Sequence, residues 1–387
     1  MIPGGDAEAY AAALAGLPGM SSARLSKLLD GIRPALAWQL VKAGKHCADP
    51  GRRFRRSARA TDVAEVAARY RRAGVRLLLR GESDYPFALL GDPTAPAVLF
   101  STGEPAVLGS SAAVAIIGTR SATAYGRRVA AEMGVALAEE GVVVVSGLAR
   151  GIDGAAHTGA MRASGPAAAR PAAVVGTGID VVYPSSSADL WDRVARGGVI
   201  LSESPLGTAP QPWVFPARNR IIAGLADVVV VVECHLSGGS LTTVEAAARR
   251  SVPVCVVPGS VHSSSSAGTN SLLVEGCTPV RDATDVLVAV SLARAGQTPQ
   301  RRGPRHHPRQ RPTRWAGNDP AHDLPGQKPT ATTQEQRAVL DAVDETPTVF
   351  ETILLRTNLP IAEAAQACDE LVETGLLTSG PGWWSRD

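Results

Sequence analysis

The sequence predicts an α/β fold built on a doubly wound, mostly parallel sheet. From residue 114 onward, short apolar runs rich in β-branched residues alternate with Ala/Leu-rich stretches at helical spacing, which is typical of βαβ units. The runs are continuously apolar, as strands buried on both faces should be. The predicted strands are Val114–Ile117, Val142–Val145, Ala172–Val175, Val199–Leu201, Val228–Val232 and Val254–Val257.

Length and charge divide the 387 residues into four parts. We predict a helical domain at 1–72, the sheet domain at 73–292, a Pro/Arg-rich linker at 293–332 and a C-terminal domain at 333–387. The total charge of +3 does not by itself indicate a nucleic-acid partner. Its distribution is uneven, because the four parts carry about +7, −3, +6 and −7.

The N-terminal domain holds two features that suit phosphate groups. The turn at 17–25 lies between two helical patterns and resembles a helix-hairpin-helix (SAM-like) motif, although serine replaces its second glycine. A plain helical bundle is the alternative. The arginine-rich run at 51–56 could follow a phosphate backbone or could be a solvated loop.

The C-terminal segment predicts a winged-helix domain. Amphipathic helices are followed by a small hairpin near Gly382, Trp383 and Trp384. Its charge of about −7 favours docking of a partner protein over contact with DNA, because acidic surfaces repel phosphates. A regulator specific for duplex DNA is therefore a less favoured third hypothesis.

The five cysteines are widely spaced and form no Cys-x-x-Cys pair. This pattern indicates neither a disulfide framework nor a zinc site, so we expect a reducing cytoplasm and no metal. The apolar runs are strand-sized, and we expect neither export nor insertion into a membrane.

Two loops that follow predicted strands offer groups for anion binding. The loop at 118–128 combines hydroxyls, arginines and the start of a helix. The loop at 146–157 places Asp153 at a predicted helix N-cap, with His157 one turn later. Ser146, Asp153 and His157 could imitate a hydrolytic triad or begin a metal site, but helix capping and loop bracing are favoured.

Three further loops are predicted at the same edge of the sheet as these two. Glycines at 176–178 let a backbone approach a ligand, and 237–243 offers N–H groups at a helix start. The segment 213–224 places Phe215 beside two arginines, which suits unstacked bases and their phosphates, with core packing of Phe215 as the alternative. Neither Gly-x-Gly-x-x-Gly nor a P-loop occurs, so no cofactor is expected.

The ordered loops together resemble those of the DprA/Smf family, the DNA-processing protein A family. The matching motifs are Gly118-Thr119-Arg120, Ser146–Asp153 with His157, Gly176–Asp180 with Tyr183-Pro184, and Arg218–Ile222. The resemblance implies a Rossmann-like, cytoplasmic, non-enzymatic homodimer that binds single-stranded DNA and loads the RecA recombinase during natural transformation.

The resemblance also implies the residues that bind DNA. Arg120 with Thr119 should hold a phosphate, Phe215 should meet a base, and Arg218, Asn219 and Arg220 should line the same groove, which Gly239 and Ser240 close. The full predicted set is Thr119, Arg120, Ser121, Arg127, Ser146, Gly147, Arg150, Gly176, Gly178, Phe215, Arg218, Asn219, Arg220, Gly239 and Ser240. Ser185 and Gln211-Pro212-Trp213 stand where relatives often carry basic residues, which reduces the number of phosphate contacts expected.

An enzyme is the rival hypothesis. The segment 238–245 is close to the Gly-Gly-x-Gly-Thr-x-x-Glu of Rossmann-like nucleotide phosphoribohydrolases, and Glu245 would then be the catalytic acid. Leu241 occupies the position where that motif needs glycine for the phosphate to approach. We therefore expect no catalytic residue.

Overall fold

The computed structural model describes residues 5–109, 111–296, 333–343, 348–357, 359, 363–364, 367–368, 371, 376–380 and 383–385. The chain forms two compact units, Met1–His307 and Pro308–Asp387. The bulk of the described residues belong to the first unit, which contains the sheet.

A nine-stranded sheet forms the centre of the first unit, in the order β1-β2-β6-β5-β4-β3-β7-β8-β9. The pairs from β6 through β9 are parallel, whereas β1 pairs β2 and β2 pairs β6 antiparallel. The strands are β1 Arg76–Leu79, β2 Val98–Gly103, β3 Ala113–Ile117, β4 Val143–Ser146, β5 Ala172–Val175, β6 Val199–Ser202, β7 Val228–Val231, β8 Val254–Val256 and β9 Thr278–Pro279.

The predicted Rossmann-like parallel sheet is confirmed. All six predicted strands are present, each to within one residue at either end. The prediction missed β1, β2 and β9. These strands lie outside the βαβ alternation: β1 and β2 form an antiparallel edge, and β9 is only two residues long.

Helices cover both faces of the sheet. In chain order they are α1 Gly5–Ala15, α2 Ser22–Leu28, α3 Pro34–Ala43, α4 Arg55–Ala60, α5 Val63–Arg72, α6 Ala124–Glu139, α7 Ile152–Ala160, α8 Ala188–Gly197, α9 Val214–Leu225, α10 Leu241–Ala248, α11 Ala267–Val274 and α12 Ala283–Gly296. Short 3-10 turns lie at Phe87–Leu89, Pro105–Leu108, Ser185–Ser187 and Ser264–Ser266. In the part of the chain that is described, none of the helices combines the length and the apolar character that crossing a membrane requires.

Alternate strand residues divide the core between the two faces. In β3, Val114 and Ile116 pack on one side, and Ala115 and Ile117 pack on the other. Successive side chains point to opposite faces of the sheet, and both faces are buried. Every position of these strands is therefore apolar in the sequence. The central strands are therefore rigid supports for the loops at their ends.

The N-terminal helices share a core with the sheet. Leu14 and Trp38 belong to the same buried cluster as Phe100 of β2 and Trp191 of α8. Side-chain caps at Ser21 and Asp62 fix the starts of α2 and α5. Residues 5–72 are thus helical and lie against the sheet, while the domain boundary at 72 and the helix-hairpin-helix assignment stay predictions.

The described residues of the second unit include helices and a small sheet. These are α13 Gln334–Ala342, α14 Phe350–Thr357, β10 Thr348–Val349, β11 Thr378–Gly380 and β12 Trp383–Ser385, with β12 antiparallel to both other strands. The winged helix stays a prediction, because much of 358–375 lies outside the described residues. The first residues of the predicted linker belong to α12, and 297–332 also lies outside them.

Candidate functional site

A cavity of about 620 Å³ opens where β3, β4 and β7 end. Loops that follow these strands line it at Ile117–Arg120, Ala149 and Gly238–Ser240, and the start of α9 lines it at Phe215–Pro216. Ligands of doubly wound sheets bind outside the carboxyl ends of the strands, where helix N-termini also meet. This cavity is therefore the candidate site.

Three side chains form a stack at the cavity wall. The guanidinium of Arg120 lies 5.0 Å from the centre of the Phe215 ring. The ring of Tyr183 lies 5.4 Å from the Phe215 ring at an interplanar angle of 34°. Arg120 is exposed, Tyr183 is 41% exposed and Phe215 is half-buried, so the stack offers a cation and aromatic faces to a ligand. Below, these three residues are called the Arg120 stack.

Glu233, the second residue after β7, holds the loop that carries Arg120. Its backbone oxygen accepts a hydrogen bond from the N–H of Thr119 at 2.8 Å. Its carboxylate accepts from the N–H of Thr123 at 2.9 Å and from the Thr123 hydroxyl. Glu233 is 2% exposed, and a Cβ at Gly126 would overlap its carboxylate. The sequence at 118–126 therefore folds around a buried acid.

Two buried side chains of the cavity lining, Arg218 and Asp153, lie near each other. Arg218, on α9, is 5% exposed and donates to the backbone oxygens of Gly147, at 2.9 Å, and Val174. Asp153 is also buried; burial raises the pKa of its carboxyl, and the nearby Arg218 guanidinium opposes that rise. Burial lowers the pKa of Arg218 to about 10, so its side chain still carries a positive charge at neutral pH.

His157 and Ser146 are buried outside the cavity lining. Both are 0% exposed, and the Ser146 hydroxyl donates to the backbone oxygen of Ile116 at 2.6 Å. Burial lowers the pKa of His157 to about 4, which keeps the ring neutral near pH 7. The hydrogen bond of Ser146 fits the favoured bracing role, and neither side chain lines the cavity as a triad would require.

The predicted N-cap at Asp153 is wrong. Helix α7 begins at Ile152, and its cap is Gly151, which has φ of 81°. Gly151 packs against the backbone oxygens of Thr119 and Arg120, where a side chain would clash. Because Gly151 makes this close approach, Asp153 lies inside the first turn and beside Arg218 instead.

Asn219 joins α9 to the loop before α10. Its amide nitrogen donates to the backbone oxygen of Gly239 at 3.2 Å and to the hydroxyl of Thr242 at 2.7 Å. Its amide oxygen accepts from Arg218 at 3.1 Å. Asn219 thus fixes the position of the Gly239 turn relative to the Arg120 stack.

The structure brings about half of the predicted DNA-binding residues to the cavity. Those that line it are Thr119, Arg120, Phe215, Arg218, Asn219, Gly239 and Ser240. Those outside its lining are Ser121, Arg127, Ser146, Gly147, Arg150, Gly176, Gly178 and Arg220.

The expectation that Arg220 lines the same groove as Arg218 needs correction. Arg220 forms an ion pair with Glu203 and is not part of the cavity lining. Successive residues on a helix point about 100° apart, so Arg218 and Arg220 cannot share a face. A role for Arg220 in binding DNA is not tested by this geometry and stays a prediction.

The remaining residues outside the lining fall into two groups. Gly147 packs against Arg218, Gly176 against Val214, and Gly178 against the backbone of Pro205, so these glycines support the loops. Exposed polar side chains of the other group lie around the cavity loops: Ser121, Arg127 and Arg150.

The predicted DNA-binding set omitted Tyr183, Asp153 and Glu233, although Tyr183 and Asp153 belong to the motifs that carry the family resemblance. Tyr183 is an aromatic residue five positions after Gly178, and this position is visible in the sequence. Asp153 lines the cavity although it is predominantly buried. Nothing in the sequence marks Glu233, because its partner Thr123 is distant along the chain.

Glu245, the catalytic acid of the rival hypothesis, does not line the cavity. It lies exposed on α10 and pairs with Arg249, one turn later, at 3.7 Å. The geometry gives no support to a catalytic role for this carboxylate.

The fold and the cavity define a class, the Rossmann-like α/β proteins with an arginine- and aromatic-lined ligand site at the strand ends. Residues 76–291 match the family of DNA recombination-mediator protein A, and the chain belongs to that family. The resemblance seen in the sequence is thereby confirmed.

Known proteins are similar to this chain over much of its length. DNA processing protein DprA of Bacillus subtilis is 37% identical over 224 residues, which is 58% of this chain and 74% of the relative. Protein Smf of Synechocystis is 31% identical over 325 residues, 79% of each chain. The X-ray structure of DNA processing protein A from Streptococcus pneumoniae matches with a TM-score of 0.62 and 31% identity, covering 72% of this chain and 95% of that one.

Proposed function

We propose that this chain binds single-stranded DNA in the cavity and acts as a recombination mediator without catalysing a reaction. The Arg120 stack is the observation that carries the proposal. A guanidinium packed on an aromatic ring, with a second ring beside it, offers one phosphate contact and one stacking face at the same place. Such a pair suits an unpaired strand, whose bases are free to leave their stack.

The buried residues have a supporting role in this proposal. The side chains of Arg218 and Asn219 donate hydrogen bonds to backbone oxygens and to neighbouring side chains. Asn219 joins α9, which carries Phe215, to the Gly239 turn, while Thr119, Gly239 and Ser240 line the cavity. Exposed Ser121, Arg127 and Arg150 would extend the path of the strand beyond the cavity.

The proposal includes partners that the family resemblance implies. We expect a cytoplasmic homodimer that passes its strand to RecA. Sedimentation at micromolar concentration should give twice the chain mass of 40.0 kDa. Strand-exchange assays with RecA and a single-strand-binding protein should start faster when this chain is added.

Substitution of Arg120 tests the site. Arg120→Ala should weaken binding of a single-stranded oligonucleotide by about 1–3 kcal/mol, with little dependence on base sequence. Arg196→Ala removes the same charge from an exposed ion pair on α8 and should leave affinity unchanged. Equal affinities for the two variants at several salt concentrations would contradict the proposal.

A further inference from the structure

A second basic surface lies on the N-terminal helices. Arg24, Arg52, Arg53, Arg56 and Arg59 are all exposed there, and together they are called the arginine patch below. Arg24 comes from α2 and the others from the turn at 51–54 and from α4. The patch therefore unites the two N-terminal features that the sequence presented separately.

The turn that carries Arg52 and Arg53 is fixed rather than loose. The Asp49 carboxylate accepts hydrogen bonds from the N–H groups of Arg53, at 2.9 Å, and Phe54, at 3.3 Å. Phe54 is 4% exposed and anchors the turn in the core. The Arg53 guanidinium lies 5.9 Å from the Phe54 ring centre. Interpreting the run as a solvated loop does not account for this anchoring.

The same turn meets the Gly19 turn between α1 and α2. Arg24 donates to the backbone oxygen of Gly19 at 2.9 Å. A terminal nitrogen of Arg53 lies 3.1 Å from the place that a Cβ on Gly19 would occupy. Gly19 has φ of 78°, so glycine suits both the backbone conformation and this close approach. Two guanidinium groups thus flank one turn.

The five positive charges of the patch outnumber the carboxylate of Asp49 that lies beside them. Within the described part of the chain, none of its five arginines forms an ion pair, whereas Arg69, Arg76, Arg196 and Arg220 all do. Asp49 directs its carboxylate to backbone N–H groups, and Asp62 likewise caps α5. Arg24 and Arg53 both lie against the Gly19 turn, and like charges on one surface repel each other, which a polyanion would relieve.

We infer that the arginine patch binds the sugar–phosphate backbone of DNA independently of base sequence. Guanidinium forks match phosphate oxygens, and each such contact adds affinity without reading the base sequence. The patch is a site separate from the cavity, and its binding does not require the cavity to hold DNA. The choice of DNA as the polyanion rests on membership of the recombination-mediator family.

The salt dependence of binding tests this inference. The double variant Arg53→Ala/Arg56→Ala is compared with Arg196→Ala/Arg249→Ala, which removes the same charge from two exposed ion pairs. Affinities for a 30-nucleotide single strand and for the matching duplex are measured by fluorescence anisotropy over a range of NaCl concentrations. Loss of two phosphate contacts should reduce the slope of log K against log salt by about 1.5 units with at least one of the two DNA forms.

Further variants separate the possible results. Arg53→Lys/Arg56→Lys keeps the charge and should keep the slope, and thermal melting checks that each variant is folded. A slope equal to that of the control variant with both DNA forms would overturn the inference, whatever Arg120→Ala does. A reduced slope that persists in the Arg120→Ala background supports the patch even if the cavity itself does not bind DNA.

Discussion

The guanidinium of Arg218 occupies the space that a side chain on Gly147 would need. Arg218, on α9, lines the cavity and donates to the backbone oxygen of Gly147 at 2.9 Å. This hydrogen bond connects two residues that are 71 positions apart in the chain. Arg218 also donates to the backbone oxygen of Val174, so it joins the loop after β4 to strand β5.

This packing predicts that Gly147→Ala destabilises the protein. The added methyl group must displace a buried, hydrogen-bonded guanidinium, so we expect a loss of about 1–3 kcal/mol in the free energy of unfolding. Urea unfolding followed by circular dichroism measures it. Gly239→Ala is the control, because no atom lies within 4 Å of its Cβ position. Equal unfolding midpoints for the two variants would refute the packing argument.

The Arg120 stack predicts energetic coupling between Arg120 and Phe215. Phe215→Ala should weaken single-strand binding by about 1–3 kcal/mol, because a stacking face is lost. Since the guanidinium packs on that ring, the double variant with Arg120→Ala should lose less than the sum of the single losses, by more than about 0.5 kcal/mol. A double-mutant cycle of dissociation constants measures this, and strictly additive losses would show that the two side chains act separately.

Glu233 is expected to position the loop that carries Arg120. Glu233→Gln places an amide N–H₂ group where the Thr123 N–H or hydroxyl needs an acceptor, so a buried donor loses its partner. We expect about 1–3 kcal/mol lower stability together with weaker single-strand binding. Glu245→Gln makes the same chemical change on the exposed face of α10 and should alter neither property. Unchanged binding by a destabilised Glu233→Gln would limit Glu233 to a structural role.

The rival enzyme hypothesis makes a separate prediction. If Glu245 were a catalytic acid, the protein would release free base from nucleoside monophosphates, and Glu245→Gln would abolish that release. Its ion pair with Arg249, away from the cavity, leads us to expect no base release by either protein. Chromatography of the nucleotides after incubation decides the matter, and base release at an enzymatic rate would overturn the proposed function.

His157 predicts a loss of stability in acid. Burial lowers the pKa of His157 in the folded protein to about 4, below the ordinary value of 6.5. Between these values the unfolded chain takes up a proton that the folded ring refuses, so stability falls as the pH is lowered through this window. His157 should contribute up to about 1.4 kcal/mol per pH unit to that fall.

Urea unfolding at a series of pH values compares the wild type with His157→Gln. The variant should show a shallower fall between about pH 6.5 and 4, because its side chain does not titrate. Above pH 7 the two proteins should show parallel dependence, which provides the internal control. Parallel curves throughout the acid range would mean that His157 does not have the lowered pKa.

The central sheet was predictable because its signal is local. A strand buried on both faces must be apolar at every position, so Val114–Ile117 and Val228–Val232 are recognisable without knowledge of their neighbours. Strands β1 and β2 were missed because antiparallel edge strands do not belong to the repeating βαβ pattern. The sequences of the loops predicted that Arg120 and Phe215 contact the same ligand. Both residues line the cavity.

The sequence by itself determined the class of the sheet, the family and the edge at which the site lies, because apolar periodicity and loop motifs are properties of contiguous residues. Only the tertiary structure decided that Arg218 is a buried support, that Arg220 pairs with Glu203, and that Glu233 holds the Arg120 loop. Burial and charge pairing depend on residues that are distant along the chain, and no local pattern records which of them meet.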